Sequence, residues 1–346
     1  MRGASVGMGM IVRRVSSALL FLFACSIPGA SGVACAQTAA KQPRLLILSK
    51  NDQLMSIVDP ATLRIVAQVP TGPDPHEIVA SDDGTRAYIS NYGGGAYNTL
   101  TVVDLVNRKS LGTVDLGALR GPHGLHFSGG KVWFTAEAAK AIGSYDPVTN
   151  KIDLILGSGQ DGTHMIYAFA DQARLVTTNV GSASVTIFEK RAGPRQNWSA
   201  TTLPAGPRSE GFDVSPDGKT VWTANAGNGT ITVIDVATKT IANFSPNVQG
   251  ANRLKFTPDG NLVLVSTLGA PDLHIIRASD HTDVKRIPVG SGAAGIQIQP
   301  DGARAYIACS PDNYVAVVDL RSMQVVGKIE AGRNPDGLAW AVIPDR

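Results

Sequence analysis

A strand-like segment ending in an acidic residue recurs along this chain. It reads SIVD (56–59), TVVD (101–104), GSYD (143–146), TVID (232–235) and AVVD (316–319), with weaker copies TIFE (186–189) and HIIR (274–277). A second segment recurs in step with it: YISN (88–91), WFTA (133–136), VTTN (176–179), WTAN (222–225), LVST (264–267) and YIAC (306–309). A third is a turn: SDDG (81–84), SPDG (215–218), TPDG (257–260) and QPDG (299–302). A glycine closes each unit, at Gly72, Gly117, Gly159, Gly206, Gly250, Gly290 and Gly332. Self-similarity at one period constrains the fold more than any composition does, because each unit must bury its apolar face on its neighbours.

Each signal has a physical cause. Alternation such as Thr-Ile-Thr-Val-Ile-Asp is strand patterning. Asp-Gly supplies the positive φ of a tight hairpin between the first two strands. The aspartate that ends the third strand is expected to accept hydrogen bonds from the backbone of the turn that follows. A period of roughly 40–47 residues is that of a four-stranded propeller blade. The expectation is therefore an all-β, seven-bladed β-propeller with four-stranded blades. Closure is legible too. The first unit begins at Arg44-Leu-Leu-Ile-Leu48, which matches a second strand, and the chain ends with Pro335–Ile343, which matches a first strand without a successor. Placing the C-terminal strand in the first blade closes the ring and hides both edges. The expected boundaries are a signal peptide over 1–36, a linker over 37–43 and the propeller over 44–346.

The N-terminal expectation rests on order. Arg13-Arg14 precede the apolar run Ala18–Ala24, and Ala34-Cys35-Ala36 stand before Gln37. A basic region, a short apolar core and an A-x-A site make a cleaved secretory signal. The run is too short to span a bilayer. Leu22-Phe-Ala-Cys25 is a poor lipoprotein box, and the arginine pair lacks twin-arginine context, so ordinary export to the periplasm or the medium is expected. Cleavage removes three of the 31 bases and leaves 28 against 28 acids. A neutral mature chain gives no electrostatic reason to expect nucleic acid or an anionic membrane. The cluster Lys190, Arg191, Arg195 and Arg208 reads as a solvated loop. Cys309 alone remains of three cysteines, so no intrachain disulfide forms and none is needed at this length.

The repeated segments YISN, VTTN and WTAN resemble the YVTN-type β-propeller repeat family over about residues 44–344, within the wider group of lactonase-like propellers. WFTAEAAKAIG (133–143) is similar to the blade motif of streptogramin B lyases. That resemblance implies a metal-assisted catalytic pair, carried here by His123 and by Glu137. The motif's glutamate position is Ala136, and Glu137 follows one step later. The family also includes members associated with single-stranded DNA, against which the neutral charge argues.

Three of six histidines fall at one position of the repeat: Pro75-His76, Pro122-His123 and Thr163-His164. In such propellers the first strand is innermost, so these side chains are expected at the rim of a central funnel. The same position reads Asp336, His76, His123, His164, Glu210, Asn252 and Ala294 around the seven blades. The ends of the second strands are expected to add Asn91, Glu137, Asn179 and Asn225. The candidate ligand-binding set is thus His76, His123, His164, Glu210, Asp336, Asn91, Asn179 and Asn225. No cofactor is required. Three imidazoles with a carboxylate, His76, His123, His164 and Glu210, suit a divalent metal with an open position. Two functions follow: a monomeric scaffold that binds a small molecule or a protein at the funnel, or a metal-assisted lactonase or lyase. His126, an odd number of residues from His123, is expected to face the other way. His274 and His281 read as structural. The loop Asn91–Asn98, with Tyr92 and Tyr97, is placed to fold over the funnel. Mass spectrometry of the exported protein is expected to find Gln37 at the N-terminus; an intact Met1 or a lipid on Cys25 would overturn the processing.

Overall fold

Short alternating segments cut by Asp-Gly and Asp-led turns leave a chain few options besides strands. The computed structural model describes residues 41–193, 197–246 and 248–345. The expected signal peptide, residues 37–40 and Arg195 lie outside the described residues. Strands β1 (Lys41–Ser49), β2 (Leu54–Asp59) and β3 (Arg64–Pro70) belong to the first blade. The second blade, β4–β7, spans 75–115; the third, β8–β11, 122–157; the fourth, β12–β15, 163–204. The fifth, β16–β19, spans 209–244; the sixth, β20–β23, 251–288; the seventh, β24–β27, 293–329. The last strand, β28 (Pro335–Pro344), returns to the first blade, whose order is β28-β1-β2-β3. The protein is a seven-bladed β-propeller of four-stranded antiparallel sheets, closed by its C-terminal strand. Among the described residues no helix is long and apolar enough to cross a membrane.

One boundary differs from expectation. β1 starts at Lys41, and Lys41, Gln42 and Pro43 pair with Pro344, Ile343 and Val342. The ten-residue β28 offers backbone partners beyond Arg44, so residues 41–43 are strand and not linker.

The core lies between blades. Leu46 and Leu48 pack with Ile78 and Ile89 of the second blade, while Leu45 and Ile47, on the other face of the same strand, pack with Tyr306 and Val315 of the seventh. Both faces of β1 are buried, which is why it reads as an apolar run and not as an alternation. The strand-ending aspartates make turns: Asp59 accepts from Ala61 N, Asp146 from Val148 N and Asp235 from Thr238 N.

The seven inner strands, β4, β8, β12, β16, β20, β24 and β28, share one irregularity. Between the first and fourth residues of each, the register with the neighbouring strand slips by one, as between Pro75 and Ile78 or Ala251 and Leu254. A bulge of this kind re-aims side chains. The second, third and fifth positions thereby reach the bore. Four glycines at the third position, Gly124, Gly211, Gly295 and Gly337, lie where a Cβ would collide with the backbone carbonyl of His164, Asn252, Asp336 or His76 on the next inner strand. Deleting residues 333–346 is expected to bare the inner edge of β1 and turn a monomer into an aggregate on size exclusion. A truncated chain that stays monomeric with an unchanged melting temperature would refute closure by this strand.

Candidate functional site

The bulge places the second residue of each inner strand at the mouth of the bore, and there the repeat column becomes a contiguous arc. Asp336 Oδ2 lies 3.6 Å from His76 Nε2. The His76 and His123 rings are 4.4 Å apart, and His123 stacks on His164 at 3.7 Å. His164 Nε2 lies 3.7 Å from Glu210 Oε1. Five adjacent blades thus supply Asp336, His76, His123, His164 and Glu210. All are recessed; His123 is 1% exposed.

The second-strand ends behave otherwise than expected. Asn91, Asn179 and Asn225 are fully buried inside their blades. Asn91 bonds Thr99 and Thr101, Asn179 bonds Ser184 and Thr186, and Asn225 bonds Thr230 and Thr232. A Cβ on Gly72 or Gly206 would strike Asn91 or Asn225, so the asparagine and the unit-closing glycine are two halves of one packing solution. These asparagines therefore do not join the arc. The residue one step later does, since side-chain direction alternates along a strand. That step gives Lys50, Tyr92 and Glu137. Lys50 Nζ lies 3.2 Å from Asp336 Oδ2. The Tyr92 ring sits 5.0 Å from both His76 and His123, and its hydroxyl donates to Glu137 Oε2. Gly93 N donates to Asp74 Oδ2 at 2.7 Å, which pins the loop. Tyr92 covers the arc, whereas Tyr97 is 40% exposed. The resemblance paired His123 with Glu137, but Glu137 Oε1 is 2.5 Å from His164 Nδ1 instead.

His126 also departs from expectation. The bulge after Pro122 cancels one step of alternation, so His126 turns to the bore as His123 does, but deeper. Between the two levels, Arg253 Nη2 on the sixth blade meets Glu77 Oε1 on the second at 2.5 Å. This ion pair crosses the bore beneath the histidines. Nothing in the repeat grammar marked it, because Arg253 and Glu77 occupy a column that is otherwise mostly glycine.

Electrostatics follow from burial. Desolvation drives His123 well below the usual imidazole value, and the neighbouring His164 and His76 add to it. Burial also lowers His76 against the pull of Asp336, and lowers His126 to about 4. Burial works to raise the Glu137 carboxyl, but the hydrogen bonds from His164 and Tyr92 outweigh it and hold it below its usual value. Burial likewise opposes ionisation of Asp336, and His76, Lys50 and Arg253 outweigh it. Tyr92 is raised by burial and by the Glu137 carboxylate.

The expected metal set does not fit. A metal needs ligand lone pairs that converge at about 2.0–2.2 Å. Stacking sets the His123 and His164 rings only 30° from parallel, and Glu137 takes His164 Nδ1. Among the described residues no group of three His, Cys, Asp or Glu side chains could hold a metal ion. Four atoms of the arc are buried without a hydrogen-bond partner: His76 Nδ1, His123 Nδ1, His164 Nε2 and Glu210 Oε2. Cys309 is buried, with its thiol pushed up to about 11, and plays no part here.

Fold and site together define a closed seven-bladed propeller with a polar arc recessed in one mouth of its bore. No protein-family model and no curated protein sequence matches the chain. Solved structures do. A functionally unknown protein from Desulfotomaculum acetoxidans is similar with a TM-score of 0.72 at 15% identity, over 88% of this chain and 99% of that one. Hydrazine synthase from Kuenenia stuttgartiensis is similar with a TM-score of 0.70 at 17% identity, over 85% of this chain and 99% of that one. A candidate 6-phosphogluconolactonase from Bacteroides fragilis is similar with a TM-score of 0.68 at 16% identity, over 88% and 99%. Likeness at such identities is likeness of fold.

The depressed histidines have a consequence for stability. In the unfolded chain imidazoles take up protons near pH 6.5, whereas burial lowers His76, pushes His123 well below that value and takes His126 to about 4. The unfolded state therefore binds more protons in that window. Stability is complete above about pH 6.5 and is lost as pH falls from there toward about 4. Calorimetric melting across that range should show the decline, and His123→Asn should flatten it.

Proposed function

We propose that this chain is an exported β-propeller of the YVTN-repeat type that holds a polar small molecule against the histidine arc. The observation that carries the reading is the set of buried atoms without a hydrogen bond on four adjacent inner strands: His76 Nδ1, His123 Nδ1, His164 Nε2 and Glu210 Oε2, the last with only the Arg208 guanidinium at 3.7 Å. Buried polar atoms without partners are rare and costly, so their clustering implies a group that satisfies them. Neutral His76 and His123 each offer one donor and one acceptor, which suits hydroxyl-bearing ligands. Their recession beneath Tyr92 favours a small molecule over a protein surface. Export rests on the Arg13-Arg14, Ala18–Ala24 and Ala34-Cys35-Ala36 order in the sequence.

A second reading is hydrolysis or elimination on a lactone-like substrate without a metal. One chain of contacts favours it. Tyr92 donates to Glu137, Glu137 accepts from His164 Nδ1–H, and His164 Nε2 has no hydrogen bond, with Glu210 Oε1 3.7 Å away. A carboxylate that fixes one imidazole nitrogen leaves the other as a base. Similarity of fold to candidate 6-phosphogluconolactonases is in keeping with it.

Glucono-δ-lactone serves as a probe of both readings, since it carries hydroxyls and a ring ester. Calorimetry should find one saturable site for glucose, its uncharged and hydrolytically stable analogue, weakened about tenfold or more by His123→Asn, as loss of a buried hydrogen bond predicts. Proton release from the lactone no faster than in buffer leaves the binding reading standing. Release accelerated by wild type and abolished by Glu137→Gln selects the hydrolase. Neither binding nor turnover would count against the arc as a site for this class of ligand.

A further inference from the structure

Beneath the histidine arc, on the far side of the Arg253–Glu77 pair, the inner strands line a cavity of about 300 Å3. Its walls come from the third to sixth residues of the inner strands, with none of the second-position residues that form the arc. That volume is at the lower end of ligand pockets. The walls expose polar and apolar surface about equally; Phe127 and Trp340 contribute only their edges, since their rings stack on Tyr88 and Tyr306 between blades.

The polar groups of this cavity are unevenly satisfied. Arg253 and Lys255 stand two apart on β20 and line it together. Arg253 spends Nη2 on Glu77, while its Nη1 is buried with no partner. The Arg253 side chain is only 10% exposed. Lys255 Nζ has three protons and one contact, 3.4 Å from Asp213 Oδ1. His126 Nδ1 accepts from Ala168 N at 3.2 Å, so the ring proton sits on Nε2 as a further donor. Two carboxylates face these donors. Glu77 holds Arg253, and Asp213 Oδ2 takes the backbone N–H of Phe256 at 3.0 Å. Gln297 donates its amide to Ile298 O and contributes no unpaired donor from that bond. Arg253 Nη1 and the Lys255 ammonium thus keep donors to spare on one side of a chamber that is half polar and half apolar.

We propose that this chamber is a second binding site, separate from the arc, for a small organic carboxylate with an aromatic or apolar body, its carboxylate taken by Arg253 and Lys255. Charge-assisted hydrogen bonds to an oxyanion would satisfy the guanidinium nitrogen that the fold leaves unpaired, and the apolar half of the wall would cover the body. The chamber lies on the side of the ion pair away from the arc, although the Arg253 charge also interacts with Asp336 and Glu210 of the arc.

The test uses benzoate against its neutral isostere benzamide, by titration calorimetry on the full folded chain. Benzoate should bind at one site, with benzamide at least about tenfold weaker, as expected for loss of a charge-assisted hydrogen bond. Lys255→Gln should weaken benzoate by a similar factor and leave benzamide unchanged. His164→Asn, in the arc, should leave benzoate binding intact. Equal affinity for benzoate and benzamide in the wild type, or no saturable benzoate binding, would overturn the proposal, and neither result needs a variant to fold. Benzoate binding that survives Lys255→Gln but is lost in His164→Asn would also overturn it, by moving the anion to the arc.

Discussion

The two ends of the described chain pair with each other, and the rest of the molecule depends on it. β1 and β28 hydrogen-bond over most of their length, and Ser49 Oγ reaches Ala331 O across 282 residues of sequence. Closing so long a loop is entropically costly, though the cost grows only slowly with length. Burial on both faces offsets it. Leu338 packs toward the seventh blade, and Ala339, Ala341 and Ile343 toward the second. Closure also completes the site. Lys50 lies just past β1 and Asp336 lies in β28, so the acidic end of the arc exists only once the ring is shut.

Much of this was legible because the repeat made one blade explain the others. Strand-ending aspartates, Asp-Gly turns and the His76, His123 and His164 column all carry local causes that survive without tertiary knowledge. The arc was readable for the same reason: equal places in equal units must meet around an axis. What escaped was whatever broke the equality of the units or shifted the phase within one. The inner-strand bulge is a backbone feature with no residue of its own, so His126 was assigned to the wrong face. The asparagines that give the second segment its look are structural, held by Thr101, Thr186 and Thr232. Tyr92 and Glu137, both already named from the sequence, stand one step later in a position that varies from blade to blade. That variation is itself a usable signal. Where six or seven copies agree, the residue serves the blade; where they disagree at a position facing the bore, it serves something particular.

The same logic explains why the metal expectation failed. Residue types fit, but a column of histidines on neighbouring inner strands stacks face to face, because adjacent strands present side chains side by side along the rim. Stacked imidazoles with Glu137 on one of them form a hydrogen-bonding surface and not a coordination sphere. Burial then keeps His123 and His76 neutral, which suits hydrogen bonding to an uncharged group.

The Arg253–Glu77 pair ties the second blade to the sixth across the open centre. Two side chains of fixed reach can bridge only one ring diameter, and diameter grows with the number of blades. Gain or loss of a blade by duplication or deletion would stretch or crush the pair and leave a buried charge uncompensated, at a cost of about 3–5 kcal/mol. A tie of this kind makes the blade count hard to change once it has arisen. Point substitution around the rim stays open to such a lineage, and ring size does not.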